Sequence, residues 1–199
     1  MHRQVRLATP ADAAAVREIY APYVESTAIT FAVDPPSTAE LADRIETTLE
    51  QYPWLVCETE SGDVLGYAAA GPFRSRQAYD WTVELSVYVA EAAHGAGIGT
   101  ALYESLLAVL EMQGYRNAVA VVTLPNPESV RLHERAGFEP VGTVPAVGYK
   151  QGEWHDTQWW YRQLADHAAE PDPPRPLPAV QGTSAFDAAI DAGDAVLDR

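Results

Sequence analysis

The stretch that most constrains the fold is Trp81–Leu110, WTVELSVYVAEAAHGAGIGTALYESLLAVL. Val83, Leu85, Val87 and Val89 alternate with period two, the mark of a strand with one buried face. The glycine-rich turn His94-Gly95-Ala96-Gly97-Ile98-Gly99 follows at once. The period then changes: Ile98, Leu102, Leu106, Val109 and Leu110 share one face of a helix. Strand, glycine turn and helix together present bare backbone N–H groups at a positive helix N-terminus, a cradle for an anion such as phosphate. The turn is not a dinucleotide fingerprint, which needs G-x-G-x-x-G and an acid about 20 residues further on. Glu84, an acid set among the apolar residues of the strand, is the second clue.

Elements on either side follow from the same signals. Val5–Ala8 reads as a strand, and Thr9-Pro10-Ala11-Asp12 opens a helix to about Tyr23 with Ala14, Val16, Ile19, Tyr20 and Tyr23 on its apolar face. Residues 26–36 cannot continue that helix past Ile29-Thr30-Phe31 and Pro35-Pro36, and the segment is long enough to cover something. Ser37 or Thr38 caps a second helix through Leu41, Ile45 and Leu49. Trp54–Thr59 and Val64–Gly71 read as a hairpin across Glu60-Ser61-Gly62-Asp63. After the central strand and helix come a strand over Asn117–Leu124, a short helix after Pro125-Asn126-Pro127, and a final hairpin, Phe138–Gly148 with Glu153–Leu164. The order β-α-α-β-β-β-α-β-α-β-β predicts one central sheet flanked by helices. From Ala165 the composition changes, with five prolines between Pro171 and Pro178. The expectation is a domain over 1–164 and a Pro-rich acidic tail over 165–199, disordered or loosely docked, with one weak amphipathic helix over Ser184–Leu197.

Charge narrows the partners. Thirteen basic against 28 acidic residues gives −15, and Lys150 is the sole lysine. Such a surface repels nucleic acid and anionic membranes. It fits either a halophilic, salt-rich cytoplasm or a coding bias that favours arginine. Cys57 is the single cysteine and lies in the apolar run Trp54-Leu55-Val56-Cys57, so neither an intrachain disulfide nor a cysteine metal cluster is expected. With no apolar run near 18 residues and no apolar leader in MHRQVRLATP, a soluble cytoplasmic protein is predicted.

Several ordered motifs then agree. His94, Gly97 and Gly99 fall on the acyl-CoA loop pattern of the GCN5-related N-acetyltransferases (GNAT), Gln or Arg, two residues, Gly, one residue, Gly or Ala, with His94 departing at the first position. Asn126, Ser129, Leu132-His133-Glu134 and Gly137-Phe138 resemble that family's second cofactor element. Gly71-Pro72-Phe73-Arg74-x-Arg76, Ala78-Tyr79-Asp80-Trp81-Thr82-Val83-Glu84, Leu124-Pro125-Asn126 and Gly148-Tyr149-Lys150-x-Gly152-x-Trp154-His155-Asp156 are similar to the phosphinothricin N-acetyltransferases. Pro-Pro-Arg-Pro at 173–176 is a fainter echo. The resemblance covers roughly Val5–Leu164. It implies an α+β, three-layer GNAT fold with a mixed, mostly antiparallel sheet, acetyl-CoA as co-substrate with no metal, a homodimer, and herbicide resistance as a biological readout.

An amine must lose a proton before it attacks a thioester, and Glu84 is the expected base, its pKa raised by apolar neighbours. His133 stands where the family places a tyrosine, and two roles are open for it: acid toward the CoA thiolate, or base. The backbone of Val87, Tyr88 and Val89 is expected to meet the pantetheine arm, one N–H polarising the thioester carbonyl. Residues His94, Gly95, Ala96, Gly97, Ile98, Gly99 and Thr100 are expected at the pyrophosphate, with Asn126 and Ser129 nearby. Arg74 and Arg76, scarce cations in a loop just before Glu84, suit an anionic acceptor. The resemblance adds Phe31 and Tyr79 as pocket walls and marks Thr123, where the resembled enzymes place glycine. Trp154, His155, Trp159 and Trp160 read as sheet packing and interface surface. The expected reaction is direct acetyl transfer to the amine of a small anionic amino acid such as L-phosphinothricin or methionine sulfoximine. Another amino acid, a peptide N-terminus, and a non-catalytic acyl-CoA-binding regulator are the alternatives.

Overall fold

The computed structural model of the protein describes residues 2–197; Met1 and the last two residues of the 165–199 segment lie outside them. Seven strands form one sheet: β1 Arg3–Leu7, β2 Trp54–Thr59, β3 Val64–Pro72, β4 Thr82–Val89, β5 Asn117–Thr123, β6 Glu139–Lys150 and β7 Glu153–Gln163. The spatial order is β1-β2-β3-β4-β5-β7-β6. Every neighbouring pair is antiparallel except β4 and β5. The helices are α1 Ala13–Ser26, α2 Thr38–Leu49, α3 Ile98–Gln113, α4 Pro127–Arg135 and α5 Ser184–Leu197.

Register assigns the faces. α3 covers Val83, Leu85, Ala118, Ala120, Val122 and Trp160 in the larger core. α1 and α2 cover Trp54, Val56, Tyr67 and Ala69 on the other side. α1 differs from the expected face: Ala14 is exposed, while Ala13, Ala21 and Val24 are buried with Val16 and Ile19. The helix is entered through a tighter 3-10 turn, Pro10–Asp12, which shifts the phase of the turn that follows. On the same side Arg6 forks onto both carboxylate oxygens of Asp12 at 2.8 Å and reaches Glu58 at 2.6 Å, tying β1 to the α1 entry.

The segment after β7 is not the loose tail expected from its composition. Arg175 and Gln113 exchange backbone and side-chain bonds at 2.7 and 2.8 Å, which straps the proline run across the end of α3. Leu177, Val180, Phe186 and Ala189 are buried around Val109. α5 then packs on α3, where Ser105 Oγ donates to Ile190 O at 2.6 Å and accepts the Gly193 N–H at 3.0 Å. Asp194 Oδ1 accepts the Val5 N–H of edge strand β1 at 2.7 Å. Proline forbids regular hydrogen bonding but not apolar packing, and the side chains between the prolines supply that packing. Among the described residues no helix is long and apolar enough to cross a membrane, and no three His, Cys, Asp or Glu side chains gather where they could hold a metal ion.

Candidate active site

The site begins where the sheet opens. β4 and β5 pair only over Thr82–Glu84 with Asn117–Val119, and Glu84 is the last residue of β4 in register. The Ala90 N–H points to Leu65 O on β3, so alternation turns the backbone groups of Val87 and Val89 toward the opening. The Val89 carbonyl there is already occupied. The Tyr23 hydroxyl donates to it at 2.6 Å, and His94 Nε2, which therefore carries its proton, lies 3.1 Å from it and 2.9 Å from the Tyr23 oxygen.

A cleft of about 370 Å³ runs from this opening to the start of α3. Val87, Tyr88, Val89, His94, Gly95, Gly97, Ile98, Gly99, Thr100, Asn126 and Ser129 all line it. Gly95 and Gly97 have φ of +75° and +81°, the left-handed region that a side chain disfavours. Gly97 is the cap of α3, whose first N–H groups lack helical partners. Ala96 is turned away from the cleft: it packs against the core, and its carbonyl accepts Arg3 Nη1 at 3.2 Å. Asn126 caps α4 by accepting the Ser129 N–H at 3.1 Å. The sequence reading missed Tyr23, Ile29, Arg131 and Arg135, which also line the cleft. A four-residue spacing on α4, which places both arginines on one face, was the available signal for the last two.

A second group gathers around Glu84. Pairing Glu84 with Val119, Val119 with Tyr161, Val121 with Trp159 and Thr123 with Thr157 puts all of them on one face of the sheet. Arg74 Nη1 stands 3.7 Å from Glu84 Oε2. Its guanidinium lies over the Phe73 ring at 4.3 Å and the Trp159 ring at 5.4 Å. Phe73 meets Tyr79 edge-on at 5.5 Å. Burial raises the Glu84 pKa, and the nearby Arg74 charge only partly opposes it. Arg76 is exposed at the start of the 77–79 turn, so of the two arginines only Arg74 pairs with Glu84 among the described residues. Trp159, read from sequence as packing, belongs to this group. Thr123 Oγ1 donates to Ile29 O at 3.4 Å, and Phe31 lies half-open on the same loop.

His133 lies elsewhere. It is buried between Tyr103, Phe138 and Trp160 on the α3 side of the sheet, opposite the Glu84 face. Its Nδ1–H donates to Ser129 O at 2.7 Å, which leaves Nε2 to accept from Tyr103 Oη at 3.1 Å. Burial lowers its pKa, and the Ser129 carbonyl only partly offsets that. Both ring nitrogens are engaged, and the structure does not bring His133 to Glu84.

A family model described as an acetyltransferase (GNAT) domain matches residues 5–159. The phosphinothricin N-acetyltransferase of Streptomyces viridochromogenes is 46% identical over 174 residues, covering 87% of this chain and 92% of the relative. An L-methionine sulfoximine/L-methionine sulfone acetyltransferase of Salmonella typhimurium is 39% identical over 83% of this chain and 96% of its own. The crystal structure of a phosphinothricin acetyltransferase from Sinorhizobium meliloti in complex with acetyl-CoA superimposes with a TM-score of 0.81 at 37% identity, over 94% of this chain and 97% of that one. With a split between parallel strands, a glycine cradle at α3 and a family model spanning residues 5–159, this chain belongs to the GNAT acetyltransferases.

Proposed function

We propose that this protein transfers the acetyl group of acetyl-CoA directly to the primary amine of a small anionic amino acid, with L-phosphinothricin and methionine sulfoximine as the acceptors to test first. The observation that carries this reading is the Glu84 carboxylate at the last β4 residue paired with β5, where the two strands begin to part, 3.7 Å from Arg74. The pantetheine arm would lie in the opening between β4 and β5, with the pyrophosphate at Gly95–Thr100 and the anionic ends of the cofactor within reach of Arg131 and Arg135.

Glu84 takes one proton from the bound ammonium, whose nitrogen then attacks the thioester carbon. The oxyanion that forms is met by a β4 N–H on the open side, from Val87 or Val89. Collapse breaks the C–S bond, and the second nitrogen proton leaves with the CoA thiol. Arg74, already held over two aromatic rings, exchanges Glu84 for the acceptor's carboxylate or phosphinate through a forked pair of hydrogen bonds. Cys57, its thiol pushed up to about 11 by burial in the core, offers no nucleophile for a covalent route.

We further propose a homodimer formed through β6. This edge strand leaves Val141, Val144 and Val147 exposed, and the start of β7 exposes Trp154 at 66%. Sedimentation equilibrium reads the state directly: Val141→Glu with Val144→Glu should give a monomer. A wild-type protein that sediments as a monomer refutes the assembly.

Thiol release from acetyl-CoA over phosphinothricin, methionine sulfoximine, methionine sulfone, ordinary amino acids and a short peptide tests the reaction. Saturable turnover with the first three, lost in Glu84→Gln while acetyl-CoA still binds, is the expected result. Preference for the peptide or for ordinary amino acids moves the acceptor class. Tight acetyl-CoA binding with no turnover on any amine moves the protein to an acyl-CoA-binding regulator.

A further inference from the structure

Residues 27–36 form a roof between α1 and α2 that is tied down from several directions. The Tyr20 hydroxyl of α1 meets Thr30 Oγ1 at 2.9 Å, and Thr123 of β5 reaches Ile29 O. From the far side Lys150, the last residue of β6, donates from Nζ to Thr30 O at 2.7 Å. The Phe31 ring packs against Gly148, where an added Cβ would run into it, and its centroid is 6.3 Å from that of His155. Ile29 lines the cofactor cleft, while Phe31 lies over the β6–β7 hairpin, so the roof spans both substrate ends.

Lys150 is an unusual residue to find there. It is the sole lysine in a chain with 28 acids, it is 8% exposed, and among the described residues no carboxylate lies within ion-pair distance of it. A buried ammonium needs an acceptor, and the Thr30 carbonyl supplies one. Such a charge-assisted bond is roughly twice as strong as a neutral one. The cofactor cradle is held by other contacts, Arg3 to Ala96 O and Tyr23 with His94 to Val89 O. The roof and the cradle therefore have separate anchors.

We propose that Lys150 is a positioning residue for the amine acceptor, fixing the roof through the Thr30 carbonyl so that the Phe31 ring closes the acceptor end of the site. The proposal rests on the acetyl-transfer reading above. Lys150 touches neither substrate, and its effect passes through Phe31. Gly148 serves the same arrangement from below by leaving room for the ring.

Steady-state kinetics of Lys150→Met, Lys150→Arg and Gly148→Ala, with acetyl-CoA affinity measured separately, test it. Lys150→Met should raise the acceptor KM on the order of tenfold, the cost of one charge-assisted hydrogen bond, and leave the acetyl-CoA Kd unchanged. Lys150→Arg should recover part of the loss, and Gly148→Ala should mimic it by displacing Phe31. In a Phe31→Ala background the Lys150→Met effect should vanish. An unchanged acceptor KM in folded Lys150→Met, or equal losses for both substrates, overturns the proposal. If Lys150→Met does not fold, Gly148→Ala decides on the same criterion. Should the wild-type protein acetylate no amine, the function reading fails. Hydrogen exchange at residues 29–33 then decides alone: faster exchange in Lys150→Met, with none at 94–100, supports the pin, and equal rates refute it.

Discussion

The carboxylate and the imidazole that the sequence offered for catalysis, Glu84 and His133, have opposite environments. Glu84 stands half-buried at an opening, with its pKa raised by burial. A base must be ionised to act, so kcat/KM should rise with pH through the Glu84 pKa, and Glu84→Gln should lose that limb with a drop on the order of 10²- to 10⁴-fold. His133 is closed inside the α3 core as the neutral ring. Its folded pKa is lowered, so between that value and an unfolded value of about 6.5 the unfolded chain binds more protons, and stability falls as pH drops through this window. His133→Phe should remove that slope. It should also cost about 1–3 kcal/mol by leaving the buried Tyr103 Oη unpaired, with turnover retained in the folded fraction. Chemical denaturation at several pH values, alongside rate measurements, separates these effects; loss of turnover in folded His133→Phe would return the ring to the chemistry.

At the scale of elements, α4 brings Arg131 and Arg135 to the cleft on one face, next to Asn126 and Ser129. Each should contact a cofactor phosphate, so alanine at either position should weaken acetyl-CoA binding about tenfold and flatten its dependence on salt. Isothermal titration at two ionic strengths checks this. Unchanged affinity in both variants would place the phosphates elsewhere. What the sequence made legible at this scale was local: the alternation of β4, the glycine turn and the apolar stripe of α3 each declare themselves within a few residues. What it hid was register. Trp159 reaches Arg74 only because β7 pairs with β5 at Val121, and Lys150 reaches Thr30 only because β6 slips its register between Val144 and Gly148. Ala96 lies off the cleft lining, its N–H turned to Ala93 O and its carbonyl taken by Arg3, distant in sequence. The docking of α5 depends on the small residues Gly193, Ala101 and Ser105 meeting, where a Cβ on Gly193 would lie 2.4 Å from Ser105 Oγ. Composition could not show that contact.

The whole molecule carries −15 with one lysine, and that charge is largely self-repulsive. Screening should raise Tm as KCl increases, if the acidic surface is suited to a salt-rich cytoplasm. The same melting experiment bears on the split between β4 and β5. Only three register pairs join β1–β4 to the β5–β7 half across that seam, and beyond Glu84 the two strands have no partner in each other. A cofactor arm lying in the gap is then a missing rung of the sheet as well as a reagent. Saturation at a hundred times Kd should add about 2.7 kcal/mol, visible as a Tm rise of several degrees. No shift at saturating acetyl-CoA would mean that it does not bind the folded chain. With the arm lying there, each catalytic cycle would remove and restore a piece of the fold, and the resting protein would be an incomplete sheet that its co-substrate finishes.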